Sequence, residues 1–96
     1  MDLKSILSDK LLGGKEKTEL ISKLLLESKL STNELIEVAK ASKDADKGTC
    51  IEALEFATKI NPSIANLSVL YFVSSTLADK APRVKWESAK VIANIA

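Results

Sequence analysis

Hydrophobic residues recur at intervals of three and four along most of the chain, the spacing that places side chains on one face of an α-helix. Six segments show this pattern, and no segment shows the strict alternation typical of a half-buried β-strand. The five glycine and proline residues lie where one segment gives way to the next. The pattern therefore predicts an all-α protein of six helices, paired as three antiparallel hairpins.

The predicted boundaries depend on residues that start or stop a helix. Gly13 and Gly14 are expected to end the first helix, because glycine accepts the left-handed conformation found at helix ends. Ser31 and Glu34 have the spacing of a capping box for the third helix. Residues 43–48 (KDADKG) are expected to form a polar turn before the fourth. The predicted helices are 2–12, 15–28, one from 31, one after 48, 62–78, and 82 to the end.

A fixed interval of 35 residues runs through the sequence. Three aspartates, each between two helical segments, stand at this interval: Asp9, Asp44 and Asp79. Two apolar sets share it, Ile21, Phe56 and Val91, and Leu25, Ile60 and Ile95. A period of this length is typical of stacked helical repeats, in which each helix pair buries one face against its neighbour. The prediction is one domain, 1–96, with approximate repeats 1–28, 31–60 and 62–96.

The segment from Ile60 to Ala78 contains no charged residue. A bilayer span normally needs about 20 apolar residues, and this helix would have at most 17, interrupted by Asn66 and several hydroxyl side chains. We therefore expect a centrally buried helix rather than a membrane segment. Its large side chains are predicted to be covered on more than one side: Leu67, Leu70, Tyr71, Val73 and Leu77.

Residues 79–96 (DKAPRVKWESAKVIANIA) resemble the second-helix signature of HEAT repeats: a turn aspartate, a proline, valine beside a basic residue, small residues, then large aliphatics. The match is looser for 44–60, where Gly48 and Thr49 replace the Arg-Val pair, and looser still for 9–25. The resemblance implies a right-handed α-α superhelix of the HEAT or armadillo type, acting as a scaffold that grips partners on a curved surface. It also implies that Arg83 bonds the aspartate of a neighbouring turn, Asp44, whereas the sequence alone favours a pair with Glu87 at i,i+4.

The charge balance narrows the class of partner. The chain has 14 basic and 13 acidic residues, interleaved, for a net charge of +1. This balance argues against non-specific binding to nucleic acid and against a polybasic membrane anchor. The single cysteine, Cys50, excludes an intramolecular disulfide, and the N-terminus has no apolar signal run. We therefore expect a cytoplasmic protein.

Candidate catalytic chemistry is sparse. The chain contains no histidine, which removes Cys-His and Ser-His nucleophiles and histidine metal sites. Gly13-Gly14 lacks the remaining residues of a phosphate-binding loop. Carboxylate pairs such as Glu52 with Glu55 are interpreted as solvated helix faces. We therefore predict a protein that is not an enzyme and has no catalytic residue, metal or cofactor.

A helical projection of the last segment gives the candidate partner-binding residues. Val84, Ser88 and Val91 fall on the apolar face, with a strip of alanines beside it. Trp86 falls between this strip and a polar face; it either packs on a neighbouring helix or serves as an exposed aromatic anchor, a residue type enriched in binding hot spots. The candidate residues are Arg83, Trp86, Glu87, Lys90 and Asn94.

The preferred function from sequence is a non-catalytic helical-repeat module for protein–protein interaction or scaffolding. One alternative is a nucleic-acid-associated HEAT-like protein, for which the four cations at Lys80, Arg83, Lys85 and Lys90 are few. Another is a self-associating part of a longer repeat protein. That alternative arises because the sequence stops at Ala96 within an apolar run, whereas solenoid ends normally carry a polar capping face.

Overall fold

A computed structural model of the chain describes residues 2–96, and all regular secondary structure in this part of the chain is helical. It contains six α-helices and one short 3₁₀ turn, with no strand in the described residues. The elements are α1 (Leu3–Ser8), α2 (Gly14–Leu26), α3 (Thr32–Lys40), α4 (Asp44–Ile60), the 3₁₀ turn (Pro62–Ile64), α5 (Leu67–Thr76) and α6 (Pro82–Ile95).

The helices pack as neighbours in a regular order. Consecutive helices pack on each other as α1 with α2, α3 with α4, and α5 with α6. Contacts also join α2 to α4 and α4 to α6, and join α1 to α3 and α3 to α5. The first and last helices, α1 and α6, share no substantial contact. The even-numbered helices therefore form one row and the odd-numbered helices another, with α4 touching the most neighbours.

The core is centred on α4. Its apolar side chains Cys50, Ile51, Leu54 and Ala57 are all completely buried. Leu3 and Ile6 of α1, Ile21 of α2, Leu35 of α3 and Val84 of α6 complete this cluster from the surrounding helices. The predicted apolar face of α6 is confirmed, since Val84, Ser88 and Val91 are all completely buried.

The burial pattern repeats at an interval one residue shorter than the predicted 35. Completely buried residues 34 positions apart occur on α3 and α5, and on α4 and α6: Leu35 and Val69, Ala39 and Val73, Cys50 and Val84, Ala57 and Val91. Three side-chain hydrogen bonds between helices also join residues 34 apart. Leu54 and Ser88, also 34 apart, are both completely buried, whereas Ala89, which lies 35 residues after Leu54, is exposed.

The beginning of the chain differs from the prediction. Helix α1 ends at Ser8 instead of residue 12, because Asp9 leaves the helical conformation and its carboxylate accepts a hydrogen bond from Leu11 N (2.8 Å). The two glycines do not end α1 in the left-handed conformation. Gly13 is instead the extended N-cap residue of α2, and its N–H donates to Glu16 Oε1 (3.1 Å). Left-handed backbone occurs instead after α2, at Ser28 (φ 58°).

The third and fourth helices begin differently from each other. Ser31 caps α3 as predicted, since its hydroxyl accepts a hydrogen bond from Glu34 N (3.0 Å). The predicted polar turn at 43–48 is wrong. Helix α4 already begins at Asp44, so Gly48 is buried one turn inside it. Asp44 and Asp46 lie in that first turn, where their negative charges interact favourably with the positive end of the helix dipole.

The fifth predicted helix is shorter and less buried than expected. Pro62 begins the 3₁₀ turn, and α5 starts only at Leu67, after Asn66 has capped it by accepting from Val69 N (3.0 Å). Val73 is completely buried, as predicted. The prediction of a central helix is nevertheless wrong, because most of its large side chains are exposed: Leu67 by 66%, Tyr71 by 69%, Leu77 by 38% and Leu70 by 36%.

The helix lengths also bear on the membrane question. Across residues 2–96, no helix combines the length and apolar character needed to cross a bilayer.

Candidate functional site

The five candidate residues on α6 divide into two groups. Arg83, Glu87 and Asn94 reach towards α4 or bury their side chains, whereas Trp86 and Lys90 project away from the core. The predicted polar face is therefore mainly an interface within the molecule. Trp86 does not pack under a neighbouring helix, because 66% of it is exposed.

Asn94 ties the end of α6 to the middle of α4. Its side-chain N–H groups donate to Glu55 O (3.0 Å), to the Glu55 carboxylate (2.9 Å) and to Thr58 Oγ1 (3.1 Å). Glu55 is only 3% exposed, and Lys59 one turn later lies 3.5 Å from its other oxygen. A carboxylate at this depth requires such partners, so Asn94 helps to make the buried charge tolerable.

Arg83 ties the start of α6 to α4, but with a partner that differs from both predicted ones. Its guanidinium donates to Glu52 Oε1 (3.0 Å) and to Ala45 O (3.3 Å). The same Glu52 oxygen accepts a hydrogen bond from Thr18 Oγ1 of α2 (2.8 Å). Glu52 therefore links three helices, and neither Glu87 nor Asp44 is the partner of Arg83.

Gly48 leaves the space that Arg83 occupies. A Cβ atom at Gly48 would lie 3.1 Å from the Arg83 guanidinium and 3.3 Å from its Cδ, both tight contacts. The glycine that weakens the resemblance of residues 44–60 to the repeat signature thus has a packing role here.

Glu87 is buried beside these links. One of its oxygens accepts from Lys90 Nζ (3.2 Å), and the other, Oε1, has no hydrogen-bond partner among the described residues. The hydrogen bond and charge of Glu87 raise the pKa of Lys90. Because Lys90 remains 58% exposed, its ammonium group is still available at the surface.

The exposed part of α6 carries the candidate contact surface, which we call the outer face and define as Trp86, Lys90 and Ala93. Trp86 and Lys90 are one turn apart, and Ala93 follows on the same side. All three are exposed. The bonds of Arg83 and Asn94 lie at the two ends of the helix, so the backbone that presents the outer face is anchored at both ends.

A second surface feature was not anticipated from the sequence. Leu26 of α2 and Phe56 and Ile60 of α4 line an open, mainly apolar groove of about 410 Å³ between the two helices. Lys59 borders it, with its ammonium nitrogen 6.0 Å from the centroid of the Phe56 ring. Phe56 and Ile60 belong to the apolar sets that share the 35-residue interval, and in the structure their side chains line this groove.

The chemistry available for catalysis is limited in this structure. Burial raises the pKa of the Cys50 thiol from 9.0 to about 12, with Asp46 adding to the shift, so the nucleophilic thiolate is strongly disfavoured. The described residues contain no cluster of three or more groups that could hold a metal ion. Glu52 and Glu55, interpreted from sequence as solvated, serve instead as bonding partners between helices. The 3.6-residue periodicity of a helix could not identify this role, because the bonding partners of Glu52 and Glu55 lie more than 30 residues away in the chain.

Comparison of the chain with protein-family models, with curated proteins and with solved structures finds no match in any of the three.

Proposed function

We propose that this protein is a non-catalytic helical-repeat module that binds another protein through the outer face of α6. The observation that carries the proposal is the exposure of Trp86. Tryptophan is a large apolar residue that is normally well covered, and it is also among the residues most enriched in binding hot spots. An indole that is 66% exposed on an anchored helix therefore suits an interface.

The proposed architecture is a right-handed stack of three antiparallel helix hairpins, as in HEAT and armadillo-type proteins. The two rows of neighbouring helices and the 34-residue recurrence of buried positions support it. In such a stack the second helix of each pair lies on one surface, so α2, α4 and α6 would together form the binding surface.

Binding through this surface needs no large rearrangement of the helix that presents it. Arg83 and Asn94 already hold α6 against α4 through side-chain bonds of 3.0 Å and 2.9 Å. A preformed surface avoids part of the entropy cost of ordering side chains on association. Trp86 contributes apolar area, while Lys90 beside it can pair with a carboxylate of the partner.

A protein partner fits the charges better than nucleic acid does. Two cations of α6 and α4 are engaged within the molecule, Arg83 with Glu52 and Lys47 with Asp79. Binding to phosphates depends on cations that are free to neutralise them. The same sparse chemistry, with a buried thiol and no histidine, supports a role without catalysis in a reducing compartment such as the cytoplasm.

The proposal is tested by substituting Trp86. The intact protein, wild type or Trp86→Ala, is used as bait in cell extract, and captured proteins are quantified by mass spectrometry. Tyr71→Ala is the matched control, because Tyr71 is an aromatic residue of similar exposure (69%) on a different helix. We expect at least one partner whose affinity falls about fivefold or more with Trp86→Ala, the effect of losing an anchor worth about 1 kcal/mol, and is unchanged with Tyr71→Ala.

Two controls make the result interpretable. The melting temperature of Trp86→Ala should equal that of the wild type, because an exposed side chain contributes little to the core. Since Trp86 is the single tryptophan, its fluorescence should also change when the purified partner is added. Unfolding by Trp86→Ala, or a preferred partner that is DNA with steep salt dependence, would contradict the proposal.

A further inference from the structure

The row formed by α2, α4 and α6 carries a second feature besides the outer face of α6, the apolar groove between α2 and α4. We call it the α2–α4 groove and define it by Leu26, Phe56 and Ile60 along its walls and Ser22 at its floor. Ser22 is small and only 5% exposed, so it leaves room that a larger side chain would fill. Ile60 is 71% exposed at the end of α4 and Phe56 is partly covered, so the groove presents apolar area that a ligand can cover.

The two helices that form the groove are held in place from beneath. Ile21 and Leu25 of α2 are buried in the core. Thr18 Oγ1 of α2 also donates to Glu52 Oε1 of α4 (2.8 Å), which joins the two helices directly. The groove is therefore a fixed feature of the fold, and a ligand can fill it without the cost of rearranging the helices.

The length and shape of the groove suit a third helix lying along it. Its α2 wall runs from Glu19 to Leu26, which is about 10.5 Å along the axis at roughly 1.5 Å per residue. Residues i and i+7 of a docked helix are separated by the same distance. Amphipathic helices present apolar side chains at i, i+3 or i+4, and i+7, and this is the spacing read in helix-in-groove complexes. The open space of about 410 Å³ receives such a stripe without enclosing the whole helix.

Two lysines on opposite walls set the charge of that helix. Lys23 of α2 and Lys59 of α4 both border the groove, and both are exposed. Lys23 forms no ion pair within residues 2–96, and Glu27, one turn later, lies 3.4 Å from Lys29 instead. The Lys59 side chain is 67% exposed although its ammonium group lies 3.5 Å from Glu55, so it can also reach a ligand. Acidic residues on both sides of a docked apolar stripe would therefore meet a cation on each wall.

Glu19 makes the charge pattern more specific. It borders the same groove at the N-terminal end of the α2 wall. A carboxylate of the ligand is repelled there and attracted near Lys23 and Lys59, so the acidic residues of the docked helix belong towards the end of the groove at Ile60. Nucleic acid, with phosphates at every step of its backbone, does not match this uneven pattern.

We propose that the α2–α4 groove docks an amphipathic helix of a partner protein, with its apolar stripe on Leu26, Phe56 and Ile60 and acidic residues on both sides of the stripe paired with Lys23 and Lys59. The proposal rests on the proposed function in one respect, that the row of α2, α4 and α6 binds protein. The two fail separately, because docking is measured with a purified peptide at the groove, whereas the proposed function is measured by the partner lost with Trp86→Ala.

The first test measures the preference for acidic residues. The probe is a fluorescein-labelled, end-blocked helical peptide of four turns with a leucine stripe at i, i+3 or i+4, and i+7 and glutamates on both sides; a companion peptide has lysines in place of the glutamates. Fluorescence anisotropy with the whole chain should show tighter binding of the glutamate peptide. Lys23→Glu should weaken that peptide about fivefold, the upper range for an exposed ion pair, and strengthen the lysine peptide. Lys40→Glu is the matched control and should change neither, because Lys40 is also an exposed lysine in the last turn of a helix but lies on α3.

The second test measures the apolar contact and its place. Ile60→Ser should weaken the glutamate peptide about tenfold or more, because the isoleucine is covered only in the complex. Leu67→Ser is the matched control and should leave the affinity unchanged, because Leu67 is 66% exposed but lies on α5. Peptide-induced changes in the amide NMR shifts of the whole chain should fall on α2 and α4. Circular dichroism would show that all four variants fold.

Several results would overturn the docking proposal. They are equal affinity for the two peptides, no effect of Ile60→Ser, amide shift changes confined to other helices, or no binding of the glutamate peptide at millimolar concentration. A captured partner that depends on Trp86 but not on Ile60 would leave the proposed function standing and the docking proposal wrong. A glutamate peptide that binds in the groove, with no captured partner depending on Trp86, would have the opposite meaning.

Discussion

Helices α4 and α5 differ in burial, and the difference is the reverse of what their compositions predict. Helix α4 contains six charged residues, yet its apolar side chains are completely buried and it also buries the Glu55 carboxylate. Helix α5 contains no charged residue, yet Leu67, Leu70 and Tyr71 are exposed. Burial in this molecule is therefore not set by how apolar a helix is.

The difference follows from how many neighbours each helix has. Helix α4 packs against α2, α3 and α6, so every direction except its outer surface is covered. Helix α5 packs only against α3 and α6, and its remaining side, which includes Leu67 and Tyr71, is exposed. The charged residues of α4 either lie on its outer surface or, as with Glu55, are bonded to a neighbouring helix.

Thiol reactivity should give the largest contrast between the two helices. Burial raises the pKa of Cys50 on α4 to about 12, so at neutral pH its nucleophilic thiolate is strongly disfavoured. A cysteine introduced at Leu70 in a Cys50→Ala background should react at the ordinary rate. Alkylation with iodoacetamide, followed by mass spectrometry, measures both rates; equal rates would mean that α4 opens readily.

Core truncation should give the next largest contrast. Leu54→Ala on α4 removes a completely buried side chain and should lower the free energy of unfolding by about 2–5 kcal/mol. Leu70→Ala on α5 should cost no more than about 1 kcal/mol, since its side chain is already 36% exposed. Urea titration at low protein concentration measures both. A loss at Leu70 as large as at Leu54 would show that α5 is more central than its exposure indicates.

The bond between α6 and the buried charge of α4 should give a smaller effect. Asn94→Ala leaves the Glu55 carboxylate and carbonyl without their α6 donor and should cost about 1–3 kcal/mol. Asn33→Ala, at an exposed asparagine of α3, should change stability by less than about 0.5 kcal/mol. Combining Asn94→Ala with Glu55→Gln should recover part of the loss, because the buried charge is then absent. Strictly additive losses would indicate that the two side chains are not coupled.

The repeat interval shows how far sequence reasoning could reach. The aspartates Asp9, Asp44 and Asp79 do recur every 35 residues, but they occupy three different settings: a helix C-cap, the first turn of a helix, and a turn in which Asp79 accepts from Ala81 N (2.9 Å). The buried positions recur every 34 residues instead. A one-residue difference rotates a helix by about 100°, which is enough to turn Phe56 and Ile60 outwards.

The sequence predicted the helix that carries the candidate site but not the partners of its side chains. The pattern of Val84, Ser88 and Val91 correctly placed the buried face of α6, and the position of Trp86 beside it was compatible with either packing or exposure. Arg83 could be assigned only local partners or partners implied by the family resemblance. The structure shows it bonded to Glu52, 31 residues away, which no local pattern indicates.

The sequence by itself determined the helices of this protein, most of their apolar faces, the cap at Ser31 and the start of α6 at Pro82, because these depend on neighbours within a few residues along the chain. The tertiary structure alone decided which helix is central, which carboxylates are buried and whether Trp86 is covered. Those outcomes depend on how many helices surround each one and on contacts between residues about 30 to 40 positions apart, such as Glu55 with Asn94.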